Sequence, residues 1–241
     1  MAERTPLLLI PGLLCDEALW RHQIDHLGEV ADTTVADHTR HDRMEDIAAS
    51  ILQAAPPRFA LAGLSMGGYI ALEILRVAPE RVLRLALLDT TARPDTPEAA
   101  QRRRDLLALV ARGNFKGVTR QMLPLFIHPD RLGDETLTRP IMEMGERVGS
   151  AAYVRQQTAI LNRRDARPNL AAIHCPTLVI CGRQDALTPL PVSEELASGI
   201  PNATLTVIED CAHLPTMERP QAATALMRLW LVQGRTPRDR T

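Results

Sequence analysis

The stretch Phe59 to Leu72, FALAGLSMGGYIAL, constrains the fold more than any other. A short apolar run leads into Gly63-Leu64-Ser65-Met66-Gly67, and a second apolar run follows. The first run, Phe59–Leu64, has the length and composition of a strand buried on both faces. The second, Met66–Ala78, reads as a helix that is apolar nearly all round, through Ile70, Ala71, Leu72, Ile74, Leu75 and Val77. Such a helix belongs in the middle of the molecule. Pro79 stops it, because proline removes a backbone donor and clashes with the preceding turn.

The same alternation extends along the chain. Strands are expected at Leu7–Ile10, Ala31–Ala36, Phe59–Leu64, Val82–Leu88, Thr177–Cys181 and Ala203–Ile208. Helices are expected near Glu17–Leu27, Met44–Ala54, Met66–Ala78, Pro191–Ser198 and Pro220–Val232. Near-continuous apolar strands alternating with helices indicate an α/β fold, a doubly wound and mostly parallel sheet covered on both faces. The alternation breaks between about residues 94 and 167, where the pattern is helical only: Ala99–Arg112, Val118–Phe126, Asp134–Val148 and Ala151–Arg163. The expected organisation is a core of residues 1–93 and 168–241, with a helical cap, residues 94–167, over the loop edge of the sheet. Thr236–Thr241 reads as a disordered tail.

Composition limits the partners. The chain has 241 residues and a net charge of −1, so no global field favours nucleic acid or an anionic membrane. No apolar run reaches the length of a membrane span. The four cysteines, Cys15, Cys175, Cys181 and Cys211, lack metal-binding spacing and read as reduced thiols. The expectation is a cytoplasmic protein acting on a small molecule, without metal or cofactor, as a monomer or homodimer.

Gly-x-Ser-x-Gly alone is weak evidence, since it arises by chance in roughly one chain of this length in ten. A strand leading in and a helix leading out give it meaning. The serine then sits on a sharp strained turn, with the first helical N–H groups aimed at the same place. A serine hydroxyl needs a base, and the base needs an orienting acid. His213 follows the last strand at its C-terminal end, where catalytic groups of open parallel sheets collect. His174 precedes a strand and is at the wrong end. His22 and His26 lie four apart on a helix and read as surface residues. His38 and His41 follow a strand end and read most simply as a solvated helix entry. Asp185 follows the Thr177–Cys181 strand and is favoured as the acid. Asp89, which ends the strand before the insertion, is its competitor. An oxyanion hole needs two N–H donors. Met66, directly after the serine, supplies one, and Leu13, in the Pro11-Gly12-Leu13 loop after the first strand, supplies the other.

IPGLL after the first strand, GLSMGG at the turn, LVICGRQDALTP and IEDCAHLPTMERP together resemble the α/β-hydrolase superfamily, in its small single-domain esterase, lactonase and carbon–carbon hydrolase branch. The resemblance covers nearly the whole chain. It implies a triad of Ser65, Asp185 and His213, with Leu13 and Met66 as oxyanion donors. The chain departs from the family pattern in three places. Pro11-Gly12 replaces the usual His-Gly, Asp37–Asp42 replaces a Gly-rich loop, and, with the first strand so near the N-terminus, the family's leading hairpin is expected to be missing.

A serine at position 65 excludes relatives that need a carboxylate there, so the expected chemistry is acyl transfer. The first expectation is a small carboxylic ester or lactone hydrolysed through an acyl-enzyme. A carbon–carbon hydrolase of β-diketones or ring-cleavage products, and an acyltransferase, are the alternatives on the same triad. Candidate pocket residues are Leu14, Trp20, Met122, Phe126, Met142, Leu187 and Leu214, with Leu125 and Met144 as further apolar cap positions. Trp20 is favoured for packing. Arg102, Arg103 and Arg104 read as a solvated helix face.

Overall fold

A computed structural model describes residues 4–233; the expected tail at Thr236–Thr241 lies outside them. Six strands form one sheet: β1 (Thr5–Ile10), β2 (Ala31–Val35), β3 (Phe59–Leu64), β4 (Val82–Leu88), β5 (Thr177–Gly182) and β6 (Ala203–Ile208). They pair in the order β2-β1-β3-β4-β5-β6, every pair parallel. β3 and β5 are buried along their whole length, whereas the edge strand β2 alternates buried and open positions. Parallel strands covered on both faces must be apolar on both faces, and an edge strand need not be.

Alternate residues of each strand feed opposite apolar layers. Leu7, Leu9, Ala60, Ala62, Leu64 and Ile180 face a layer with Trp20, Met227 and Trp230, beneath helices α1 (Arg21–His26) and the C-terminal Pro220–Val232 helix. Leu8, Ile10, Leu61, Leu85, Leu87 and Val179 face the other layer, with Ile47 and Ile51 of α2 (Met44–Ala54) and Ile70 and Ile74 of α3 (Met66–Val77).

The chain leaves β1 for β2 at one edge, then returns to β3 on the other side of β1. Two loops therefore diverge at the C-terminal ends of β1 and β3, opening the crevice where ligands of such sheets bind. The loop after β1 contains Gly12 and Leu13, and the turn after β3 contains Ser65. Ile10 is the sheet partner of Gly63, so the two loops start side by side.

Between β4 and β5 run α4 (Pro97–Ala111), short 3-10 turns at Arg120–Leu125 and Pro129–Arg131, and α5 (Glu135–Leu161). The helix expected at Val118–Phe126 is only a 3-10 turn, because Pro124 withholds the backbone donor an α-helix would use there. The two helices expected at 134–148 and 151–163 are continuous except at Gly149, whose φ of 76° breaks the spiral. This segment packs over the strands' C-terminal loops. Phe126 O accepts from His213 N at 3.0 Å, and Arg155 Nε donates to Thr39 O at 2.7 Å. The remaining helices are α6 (Leu190–Gly199), α7 (Pro215–Glu218) and α8 (Pro220–Val232). Among the described residues no helix is long and apolar enough to cross a membrane.

The turn at Ser65 depends on absent side chains. A Cβ on Gly63 would lie 2.2 Å from Gly67 O, and one on Gly67 would lie 2.1 Å from Ile10 O. Both obstacles are backbone, which cannot swing aside. Gly28 lies in open space, with nothing within 4 Å of such a Cβ. Gly63→Ala is therefore expected to lower unfolding stability by about 3 kcal/mol or more, the upper end of the overpacking range. Gly28→Ala is expected to be neutral or to stabilise by up to about 1 kcal/mol through the unfolded chain. Urea unfolding of the two variants checks the contrast.

Candidate active site

Ser65 has φ 54° and ψ −115°. A non-glycine residue at positive φ is held there only by its surroundings. Here Ser65 N donates to Leu88 O at 2.9 Å, while Ser65 O accepts from Gly68 N at 2.9 Å and from Thr90 Oγ1 at 2.7 Å. Pinned at both ends, the residue stands between β3 and the N-terminus of α3, with its side chain on a cavity.

His213 Nε2 lies 2.9 Å from Ser65 Oγ, and His213 Nδ1 lies 2.8 Å from Asp185 Oδ2. A carboxylate at Nδ1 favours the tautomer with the proton on Nδ1, leaving the Nε2 lone pair toward the serine hydroxyl. Asp185 Oδ2 also accepts from Thr188 Oγ1 at 2.6 Å, and Oδ1 accepts from Leu187 N at 2.8 Å and Thr188 N at 3.1 Å. Burial opposes ionisation of Asp185. The adjacent His213, with the hydrogen bonds from His213 and Thr188, outweighs it and holds this carboxyl well below the usual range. The three side chains named from strand ends thus meet in one hydrogen-bonded chain.

Two backbone donors adjoin it. Met66 opens α3, so its N–H has no helical acceptor. In the loop after β1, Leu14 N donates to Gln156 Oε1 at 3.2 Å, whereas Leu13 N makes no hydrogen bond among the described residues. A Cβ on Gly12 would stand 3.4 Å from Ser65 Cβ, so this loop lies directly against the serine. His38 braces the loop, with Nε2 3.0 Å from Gly12 O. The expectation that His38 is solvated is corrected: it is buried, and it supports the loop because β2 ends beside β1. Burial pushes its imidazole below the ordinary value, against the hydrogen bond to Gly12, which favours the charged form.

Ser65 and His213 open into a cavity of about 540 Å³. Leu14, Leu187 and Leu214 line it from the core loops, and Met122, Leu125 and Phe126 from the segment between β4 and β5. Trp20 does not line it. The 3-10 turn Glu17–Trp20 points this side chain into the sheet-facing core, where it is fully buried. Met142 does not line it either. Its neighbour Ile141 faces the cavity, and adjacent helical residues cannot share a face, so Met142 packs against the core. Met144 is wholly buried. Arg102 and Arg104 are exposed, as a solvated helix face requires, but the expectation needs correction at Arg103, which is half-buried. Arg102 and Arg103 both line the cavity, and Arg103 bonds Asp95 at 2.6 Å and Gln157 at 2.6 Å. Cys15 is a second potential nucleophile in the wall, but burial pushes its thiol up to about 12, so it stays protonated.

Glu218, five residues beyond His213, was not anticipated. It is 1% exposed, and its Oε1 accepts from Ala212 N at 2.9 Å and Leu214 N at 3.3 Å, on either side of His213. Its Oε2 accepts from His128 N at 2.6 Å, in the segment between β4 and β5. Gln156 was also missed. Both are polar residues at buried positions, a property visible only once the fold is known. Among the described residues, Asp89, Asp185 and His213 are the one His/Cys/Asp/Glu cluster tight enough for a metal ion, and Asp185 and His213 direct their facing atoms at each other.

Residues 7–225 match the model of the alpha/beta hydrolase family. This chain belongs to the alpha/beta hydrolase family. It is 33% identical over 230 residues to a protein of Azorhizobium caulinodans named "Putative carbamate hydrolase RutD", covering 87% of this chain and 84% of that protein. It is 28% identical over 239 residues to 3-oxoadipate enol-lactonase 2 of Acinetobacter baylyi, covering 92% and 86%. The structure of a thermophilic esterase from Thermogutta terrifontis superposes with a TM-score of 0.88 at 30% identity, over 98% of this chain and 92% of that one. These neighbours are hydrolases, and this alpha/beta hydrolase is an enzyme of the same kind.

Removing the Glu218 carboxylate strands buried N–H groups on both sides of His213. Glu218→Ala is expected to cost about 2 kcal/mol or more of stability, while Glu218→Gln, which keeps one acceptor oxygen, costs less. Urea midpoints measure both; an Ala variant as stable as wild type would contradict this account of the loop.

Proposed function

We propose that this hydrolase cleaves small carboxylic esters or lactones through an acyl-enzyme, with Ser65 as nucleophile, His213 as general base and acid, and Asp185 as the orienting acid. The observation that carries the reading is the Ser65–His213–Asp185 hydrogen-bonded chain at the wall of a cavity of about 540 Å³. Relatives named for ester, lactone and carbamate hydrolysis support it, because all three substrates offer a carbonyl carbon bearing a leaving group.

The geometry supports the following steps. Ser65 Oγ attacks the carbonyl carbon as its proton passes to His213 Nε2. The carbonyl oxygen, now an anion, takes hydrogen bonds from the N–H groups of Leu13 and Met66, which face charge that develops only in the transition state. The tetrahedral intermediate collapses, and His213 hands its proton to the departing alkoxide. Water then attacks the acyl-enzyme with His213 again taking a proton, and the second collapse returns that proton to Ser65 and frees the acid. Asp185 stays ionised throughout and stabilises the imidazolium that forms twice. Leu14, Met122, Leu125, Phe126, Leu187 and Leu214 give the cavity an apolar wall that suits an uncharged acyl chain.

A panel of p-nitrophenyl esters of short chains and of aliphatic lactones tests the reading. Turnover of at least one member is expected, with Ser65→Ala lowering kcat/KM by at least about 10³-fold. An activated phosphonate should add one adduct at Ser65, read by mass spectrometry. No turnover across the panel, or equal rates for Ser65→Ala and wild type, would overturn it.

A further inference from the structure

Asp89 has no part in the acyl-transfer steps, yet it sits directly behind them. It is fully buried at the end of β4, with φ 41°, another non-glycine residue held at positive φ. Its N–H donates to Ile180 O at 2.9 Å, and its Oδ1 accepts from Gly182 N at 2.8 Å, which ties the ends of β4 and β5 together. Its Oδ2 is buried and receives a hydrogen bond from no donor. One side-chain oxygen each of Asp89 and Asp185 and a ring nitrogen of His213 lie within 4.8 Å of one another.

Two carboxylates this close in a buried space do not both ionise. The donors decide which one does. Asp185 receives four: His213 Nδ1, Thr188 Oγ1, Thr188 N and Leu187 N. Asp89 receives only Gly182 N. The charge therefore rests on Asp185, and a proton on Asp89 Oδ2 converts a stranded acceptor into a donor.

We propose that Asp89 is a neutral carboxylic acid whose Oδ2–H donates to Asp185, making Asp89 the positioning residue that fixes the carboxylate behind His213. The groups facing it are consistent with that state. Asp185 and Glu218 both disfavour a further negative charge, and Cys181 and Cys211 are thiols that burial keeps protonated. Burial first, then the charge and hydrogen bond of Asp185, push the Asp89 carboxyl well above its ordinary range. The proposal rests on reading Ser65, His213 and Asp185 as the triad, but half of its test needs no substrate.

That half is stability. In the unfolded chain Asp89 ionises above its ordinary value near 4, whereas in the folded chain it stays protonated. A folded value raised in this way gives stability that is full below the unfolded value and lost as pH rises. Asp89→Asn keeps a donor and an acceptor in the same shape and removes the titration. Between pH 5 and 6.5 the wild-type unfolding constant is expected to rise tenfold more per pH unit than that of Asp89→Asn, one extra proton being released on unfolding. Parallel pH slopes in urea unfolding would overturn the proposal.

The other half is kinetic, on any ester the enzyme turns over. Asp89→Asn should retain most of kcat and leave the acid limb of kcat/KM where it stands in wild type. Asp89→Gly, which accepts the backbone angle but has no donor, should lose tenfold or more in kcat. If Asp89 were ionised in the wild type, Asp89→Asn would remove a negative charge beside His213 and move the acid limb down by a pH unit or more; that shift would overturn the proposal, as would an Asp89→Gly variant with wild-type kcat. Failure of all ester turnover with the stability difference intact would fault the triad reading and leave the neutral acid standing.

Discussion

The site depends on how closely α3 approaches the sheet. Its first turn comes so near β1 and β3 that the Cβ of any residue but glycine at 63 or 67 would fall within 2.2 Å of backbone oxygen. That approach lets the chain reverse in one residue, which forces Ser65 to positive φ. It also brings the open N–H groups of α3 beside the loop after β1. A wider turn would relax Ser65, but it would separate the hydroxyl from Leu13 and Met66 and withdraw it from His213. The strain is maintained by Leu88 O and Thr90 Oγ1, both at the end of the neighbouring strand β4. Packing in the sheet and the conformation of one serine are thus a single problem.

From that anchor the other groups arrive by strand order. Ser65 follows β3, Asp89 follows β4, Asp185 follows β5 and His213 follows β6, four consecutive positions across the sheet. Asp89 comes within 4.8 Å of Asp185, Asp185 bonds His213, and His213 reaches back across the sheet to Ser65. The loop carrying His213 is the longest reach, and Glu218 holds it. One carboxylate gathers the N–H groups flanking His213 and ties them to the backbone of His128, in the segment that lines the cavity. The Glu218 carboxyl is met by the backbone donors of Ala212, Leu214 and His128, whereas Asp185 also faces the His213 ring, which under the proposed mechanism becomes charged during turnover. Those differences in partner separate a structural carboxylate from one suited to catalysis.

The strands, their parallel arrangement and the meeting of Ser65, Asp185 and His213 were legible because each leaves a local signature. Buried strands are short apolar runs, and groups at the ends of parallel strands converge whatever the loops look like. What stayed hidden depends on which way a side chain turns within a helix or loop. Ile141 and Met142 are equally apolar, and only the rotation of α5 puts Ile141 in the cavity. Trp20 looked ambiguous because tryptophan suits either a pocket or a core, and the 3-10 turn that carries it settles the matter. His38 lies in a polar stretch, DHTRHD, that reads as solvated; it is buried because the segment 94–167 folds down over it, a contact more than a hundred residues away. Arg103 was misread for the same reason, since its partners Asp95 and Gln157 join it only in the folded chain.

The cavity wall is not uniform in what holds it. α5 buries a continuous apolar stripe, including Leu137, Ile141, Met144 and Ile160, so its position is fixed by packing. α4 has no fully buried residue, although Thr96, Ala99, Arg102, Arg103 and Leu106 at and along it line the cavity. It is tied instead by polar links at its base. Asp95 bonds both Arg103 and Arg163, and the Arg163 guanidinium lies 4.4 Å from the centre of the Tyr69 ring on α3. Burial alone would push the Asp95 carboxyl up, and the two arginines hold it below the usual range instead. An element with little apolar burial opens at low free-energy cost, while one tied by a desolvated ion pair resists displacement of the tied end. The base of α4 is therefore the firm end and the Leu106–Leu109 end, with both leucines more than 40% exposed, the yielding one. Under the proposed function, bulk on a substrate is best accommodated toward that end, away from Asp95, with the carbonyl end against the elbow at Ser65.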